Sequence, residues 1–339
     1  DVYKRQNLKS ARNLYMLKKE GRHIPSFKED FMTLANGRFH MTLMFIPLIG
    51  VLLFTILPLV YMICLAFTNY DHNHLPPKSL FDWVGLANFG NVLNGRMAGT
   101  FFPVLSWTLI WAVFATVTNF LFGVILALII NAKGLKLKKM WQTIFVITIA
   151  VPQFISLLLM RNFLNDQGPL NAFLEKIGLI SHSLPFLSDP TWAKFSIIFV
   201  NMWVGIPFTM LVATGIIMNL PSEQIEAAEI DGASKFQIFK SITFPQILLI
   251  MMPSLIQQFI GNINNFNVIY LLTGGGPTNS QFYQAGSTDL LVTWLYKLTM
   301  NAADYNLASV IGIFIFAISA IFSLLAYTHT ASYKEGAVK

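Results

Sequence analysis

Six carboxamide side chains crowd into eleven residues of an otherwise apolar stretch: Gln257, Gln258, Asn262, Asn264, Asn265 and Asn267. An amide offers a donor and an acceptor without a charge, and it is expensive in hydrocarbon unless something partners it. On a helix, Gln258, Gly261, Asn262 and Asn265 follow i, i+3, i+4, i+7 and share one face. A second apolar stretch repeats the spacing with Asn201, Val204, Gly205 and Phe208, an amide, a small residue and a ring on one face. Such faces suit a neutral, hydroxyl-rich ligand. Helix packing is the alternative, because Gly and Asn also serve helix contacts in membranes.

What the apolar stretches lack narrows the chemistry. Within the six spans bounded below there is no Asp, Glu, Lys, Arg or His. Ion-coupled carriers bury such groups, and intramembrane hydrolases set a base beside a nucleophile, so no catalytic residue is assigned. Cys64 is the only cysteine, which leaves no disulfide framework and no cysteine metal site. Gly274-Gly275-Gly276 lacks the Gly-Lys-Ser/Thr ending of a phosphate loop. The chain is expected to bind no cofactor and to hydrolyse no ATP itself.

Composition names the solvent around these faces. Of 339 residues, 55% are apolar and 12% charged, where soluble domains carry about 25% charged residues. The fold class is therefore an all-α integral membrane protein. Six segments have the ~20 apolar residues that a span needs: 41–67, 104–130, 141–160, 195–220, 247–272 and 307–327. Pro47, Pro58, Pro152, Pro207 and Pro253 fall inside them and are read as structural kinks. Residues 1–40 hold nine Lys and Arg; with Lys133, Lys136, Lys138, Lys139, Lys235, Lys240, Lys334 and Lys339, one side totals seventeen against six on the other. That bias places both termini in the cytoplasm and accounts for the net charge of +7 without nucleic acid. The layout is a cytoplasmic segment at 1–40, a first transmembrane helix at 41–67, an external loop at 68–103, a core of five transmembrane helices at 104–327 and a cytoplasmic tail at 328–339. The first span lies deeper in the chain, and runs longer, than a signal-peptide core, so it is expected to remain as an anchor. The chain opens Asp1-Val2-Tyr3 without Met, and its true start is expected to be missing or misassigned.

Between the two polar-faced spans, residues 221–245 form a loop on the cytoplasmic side of that layout. Ser222 can cap a short helix carrying Glu223 in its first turn, and Gly232 supplies the left-handed position that ends it. Ser234 and Gln237 have capping-box spacing for a second short helix. Ile225, Ala228, Phe236 and Phe239 give the hairpin an apolar side. Its acidic first half fits poorly on an anionic leaflet, and a docking knob for a protein fits better.

These residues carry a resemblance. Glu226-Ala227-Ala228, three residues, Gly232, nine residues, Ile242, one residue, then Phe244-Pro245 resembles the EAA signature of bacterial importer permeases, with Phe244 where that family usually has Leu. Leu271-Leu272-Thr273-Gly274-Gly275-Gly276-Pro277 and Asn201-Met202-Trp203-Val204-Gly205-Ile206-Pro207-Phe208 resemble the maltose-type (MalF-like) branch of binding-protein-dependent sugar permeases, over roughly residues 40–335. Asn69–Phe89 resembles Gram-positive permeases for maltodextrins or galacto-oligosaccharides.

The resemblance implies six transmembrane helices in the type I ABC importer permease (MetI-like) fold, in a bacterial cytoplasmic membrane. It implies sugar contacts at Asn201, Val204, Gly205, Phe208, Gln258, Gly261, Asn262 and Asn265. It implies ATPase coupling through Glu226, Ala227, Ala228, Gly232, Ile242 and Pro245. The implied partners are a second homologous permease subunit in a heterodimer, an ATP-binding cassette ATPase dimer that holds the ATP, an extracellular sugar-binding protein and an oligosaccharide, in a lipid bilayer. Maltodextrin is the first choice of sugar and galacto-oligosaccharide the second; glycerol phosphate ranks below both because the faces offer no cation. A secondary carrier or a membrane scaffold are the competing classes. The first would transport without ATP, and the second would leave the amide faces unexplained.

Overall fold

The computed structural model describes residues 39–132 and 134–328, together with residues 12, 15–16, 18–21, 26, 28–29 and 31–32. Lys133, most of the expected cytoplasmic N-terminal segment, and residues 329–339 with Lys334 and Lys339 lie outside the described residues. The chain divides into two compact units, Asp1–Met62 and Ile63–Lys339.

The first unit holds α1 (Phe39–Val51), a π-helical turn (Leu52–Ile56) and most of α2 (Leu57–Leu65). The π turn has a local cause. Pro58 has no N–H for the carbonyl four residues back and its ring crowds that carbonyl, so the turn before it opens by one residue.

The second unit continues with α3 (Ala87–Leu93), α4 (Ala98–Asn131), α5 (Lys138–Ala150), α6 (Gln153–Phe163), α7 (Pro169–Lys176) and α8 (Pro190–Met218). After these come α9 (Ser222–Ile230), α10 (Lys235–Ile238), a second π turn (Phe239–Thr243), α11 (Phe244–Ile263), α12 (Phe266–Thr273), α13 (Leu291–Met300) and α14 (Tyr305–Thr328). No strand occurs among the described residues. Among the described residues five helical runs are long and apolar enough to cross a membrane, Thr42–Leu65 and Lys235–Ile263 each being one run through a π turn, and six spans result if the bent pair α5 and α6 is one.

The 34-residue α4 is the mast of this unit, about 50 Å long at 1.5 Å per residue. Its buried residues recur every three or four positions from Thr100 to Ile130. Phe101 and Val104 pack with Trp294 of α13 and Ile311 of α14. Trp107, Trp111 and Ala115 pack with Leu157 of α6, Ile197 and Val200 of α8, and Ile269 of α12. Phe120, Val124 and Ala127 pack with Met210 of α8 and with Ile247 and Met251 of α11. Gly123 lets α8 lie close: a Cβ there would stand 2.6 Å from Thr209 Cβ, the small-residue contact expected where helices associate in hydrocarbon.

Caps set the ends of these helices. Asp189 accepts from Thr191 N at 2.9 Å and from Trp192 N at 3.0 Å ahead of Pro190 at the first position of α8, both helix-start signals. The helix begins five residues before the expected 195 and ends two before the expected 220, taking in Lys194, whose ammonium sits 4.6 Å from the Trp107 ring centroid.

Two expected spans are broken. The segment 141–160 is not one helix, because α5 and α6 meet at 91°. Val151, ahead of Pro152, takes extended backbone (φ −75°, ψ 125°), since the proline ring disfavours helix for the residue before it. The segment 247–272 is α11 followed by α12, parted at Asn264 and Asn265. The segments expected between spans on the external side also contain helices: α3 in 68–103, α7 in 161–194 and α13 in 273–306.

Candidate functional site

The two breaks and the two polar faces meet in one cavity of about 410 Å³. From α8 it takes Asn201, Val204, Gly205 and Phe208; from α11, Gln258, Gly261 and Asn262; from the junction and α12, Asn264, Asn265, Phe266 and Asn267. All eight contacts implied by the sequence line it. Five lining residues were not assigned from sequence: Asn264, Phe266 and Asn267 beside Asn265, Asn119 in the middle of α4, and Gln153 at the first position of α6, directly after the bend. Asn119 is the sole amide in the span 104–130, and that isolation was its signal.

Asn265 reaches the cavity differently from the expected stripe. α11 stops at Ile263, so Asn265 lies beyond the helix and caps α12, its Oδ1 accepting from Val268 N at 3.2 Å. Its Nδ2 donates to Asn262 Oδ1 at 3.4 Å, and Asn262 Nδ2 donates to Thr116 Oγ1 of α4 at 3.0 Å. The Asn262 carbonyl lies in the last turn of α11, where helix carbonyls lose their partners; Trp111 Nε1 donates to it at 3.1 Å. These bonds hold the broken helix against α4. Other amides are uncommitted: Asn119 Oδ1 and Asn201 Nδ2 are buried with no hydrogen-bond partner among the described residues.

The two glycines also differ. A Cβ on Gly205 would collide with the Asn119 amide, whereas one on Gly261 would meet nothing within 4 Å. Gly205 is therefore a packing position at the cavity edge, and Gly261 is open space. The lining includes Phe208 and Phe266 among its amides and no ionisable side chain. Chemically it can hydrogen-bond a neutral polar molecule and offer it apolar contact.

The knob has the expected pair of short helices with two changes. α9 begins at Ser222 and the residue ahead of it is Pro221, with no side-chain cap, so Ser222 opens the helix from inside. Gly232 has φ +80°, and Ser234 and Gln237 form a reciprocal capping box before α10. Glu226 and Ala227 are exposed, and Ala228 and Ile242 half-buried. The apolar side is redistributed. Ile225, Ala228 and Phe239 are partly covered, while Phe236 and Ile230, which was not foreseen, stand 71% and 86% exposed. Gln246 Nε2 donates to Gln224 Oε1 at 2.8 Å and ties the knob to α11. The second π turn ends two residues before Pro245, as the first does before Pro58, for the same reason.

The glycine run after α12 serves packing. Gly274 and Gly275 have φ +63° and +78°, and a Cβ on Gly275 would collide with the Asp289 carboxylate. That fully buried carboxylate receives Lys297 Nζ at 2.6 Å and Gly286 N at 2.7 Å. An acid pressed against the glycines opposes phosphate binding there. Nearby, Tyr283 donates to Asp304 Oδ2 at 2.6 Å. Burial first, then the carboxylate, pushes the phenol pKa up to about 12.

Residues 119–332 match the family described as binding-protein-dependent transport system inner membrane component. The chain is 37% identical over 337 residues to the galactooligosaccharides transport system permease protein GanP of Bacillus subtilis, covering 98% of this chain and 79% of that one. It is 37% identical over 333 residues to the maltodextrin transport system permease protein MalC of Streptococcus pneumoniae, covering 95% and 76%. A chain of a bacterial alginate ABC transporter, solved in complex with an alginate pentasaccharide-bound periplasmic protein, superposes with a TM-score of 0.71 at 23% identity, covering 88% of this chain and 98% of that one. The two share a fold.

Proposed function

The chain belongs to the family of binding-protein-dependent transport system inner membrane components, and from that premise we propose that it is the sugar-conducting permease subunit of an ATP-driven importer, with a maltodextrin-type oligosaccharide as its cargo. The observation that carries the reading is the meeting of the α8 and α11 polar faces in one uncharged, amide-rich cavity. Neutral amides offer a hydroxyl both a donor and an acceptor, and the Phe208 and Phe266 side chains add apolar contact for a pyranose.

A separate binding protein delivers the sugar, and the cavity holds it between two access states. The knob around Glu226 and Gly232 docks on an ATPase subunit and transmits its closure through α10 and the π turn into α11. ATP is held and hydrolysed by that subunit. A second, homologous permease forms the other half of the path. Both termini face the cytoplasm.

The test is uptake of labelled maltotriose and sugar-stimulated ATPase in the reconstituted complex. Glu226→Lys and Gly232→Pro abolish both if the knob couples them; normal values in a correctly inserted complex would sink the reading. A galacto-oligosaccharide is the second reading for the cargo, supported by the identity to GanP over 98% of the chain. Competition between maltotriose and β-galactobiose for uptake decides between the two.

A further inference from the structure

We infer that Asn119 of α4 is a further sugar-contacting residue that presents its amide, together with that of Asn201 of α8, to one sugar hydroxyl, while Asn262 and Asn265 brace the junction of α11 and α12 against α4. This rests on the reading of the cavity as a sugar site and adds to it a residue from a third helix.

The argument is one of committed and free hydrogen bonds. Asn262 and Asn265 spend their atoms on Thr116, on each other and on Val268 N. Removing either releases the end of α11 or the start of α12. Asn119 and Asn201 are 6% and 4% exposed, line the cavity, and bury an acceptor Oδ1 and a donor Nδ2 that no described group satisfies. Buried polar atoms in native proteins are almost always paired, so an orphaned donor and acceptor flanking one cavity point to a ligand group that serves both. A hydroxyl does: it donates to one amide oxygen and accepts from one amide N–H.

Two features make the pair usable. The final torsion of an Asn side chain is soft, so an amide without partners turns to present either atom to the cavity. The Asn119 amide is also seated on Gly205, where any Cβ would collide with it. Gly205 thereby places a side chain of α4 one helical turn from Asn201.

The test uses the complete reconstituted importer with maltotriose and a set of maltotriose analogues that each lack one hydroxyl. Asn119→Leu keeps the shape and removes the hydrogen bond; Asn201→Ala is its companion. Loss of one such bond should weaken half-saturation by roughly ten-fold. In Asn119→Leu, one deoxy analogue should now be carried as well as maltotriose, although the native protein discriminates against it, the non-additivity expected of contacting groups. A merely structural Asn119 would weaken all analogues equally, which overturns the inference. If Asn201→Ala discriminates among analogues and Asn119→Leu does not, the inference fails while the sugar cavity stands. If neither variant alters uptake, the cavity reading fails with it.

Discussion

Asn262 of α11 donates to Thr116 of α4 at 3.0 Å, joining two spans at the level where α11 ends. Thr116 Oγ1 donates in turn to Ala112 O at 2.7 Å, so the threonine relays the amide to the backbone of the central helix. Thr116→Val removes the acceptor at constant shape. Inter-helix bonds of this kind average about 0.6 kcal/mol and reach about 1.7. A fall of that size is expected in a detergent melt, and a larger loss of uptake, because the Asn262 amide in the cavity lining then loses its anchor on α4.

Gly205 and Gly261 should respond oppositely to the same change. Gly205→Ala drives a methyl into the Asn119 amide and should cost about 1–3 kcal/mol. Gly261→Ala meets open space within a helix and should stabilise by up to ~1 kcal/mol. Melting temperatures of the two purified variants, compared with the parent, check the contrast; equal shifts would contradict it.

Lys297→Met strips the partner from a carboxylate that has no exposed surface. Breaking a buried pair on one side costs about 3–5 kcal/mol, so this variant should insert poorly. Lys297→Met combined with Asp289→Leu should recover much of the loss, measured as yield of monodisperse protein.

Pro245→Ala restores the N–H whose lack opens the second π turn. The turn should tighten to α-helix, and ATPase activity should then become independent of sugar while complex assembly persists. Hydrogen exchange across 239–245 provides a readout separate from activity, with slower exchange expected.

The helical spacing of Asn201, Gly205, Gln258 and Asn262 was enough to bring two faces to one cavity, because a polar stripe in hydrocarbon has few places to go. The same spacing misjudged Asn265, which arrives as a cap: periodicity registers phase and says nothing of where a helix ends. Pro152 was visible and its consequence was not, since a proline inside a span either kinks it or breaks it, and only the packing of α6 against α12 decides which. Gly275 was read as part of a family run. Its physical reason, the Asp289 carboxylate fourteen positions on, is a contact that no local pattern reports. The knob's two short helices were legible because Gly232 and the Ser234–Gln237 capping box act within a few residues, whereas its first cap and its apolar side were not.

The turn at Phe239–Thr243 has one more consequence. A π turn spends one extra residue without completing extra rotation, so every side chain after it is re-phased by about 100°. Gln258, Gly261 and Asn262 face the cavity only because that offset is present upstream. Tightening 239–243 to regular α-helix with every residue kept would therefore leave α11 intact yet swing its polar stripe toward lipid, deleting one residue at the same time would bring the stripe back, and the knob and the cavity are thereby geared to each other through one shared angle.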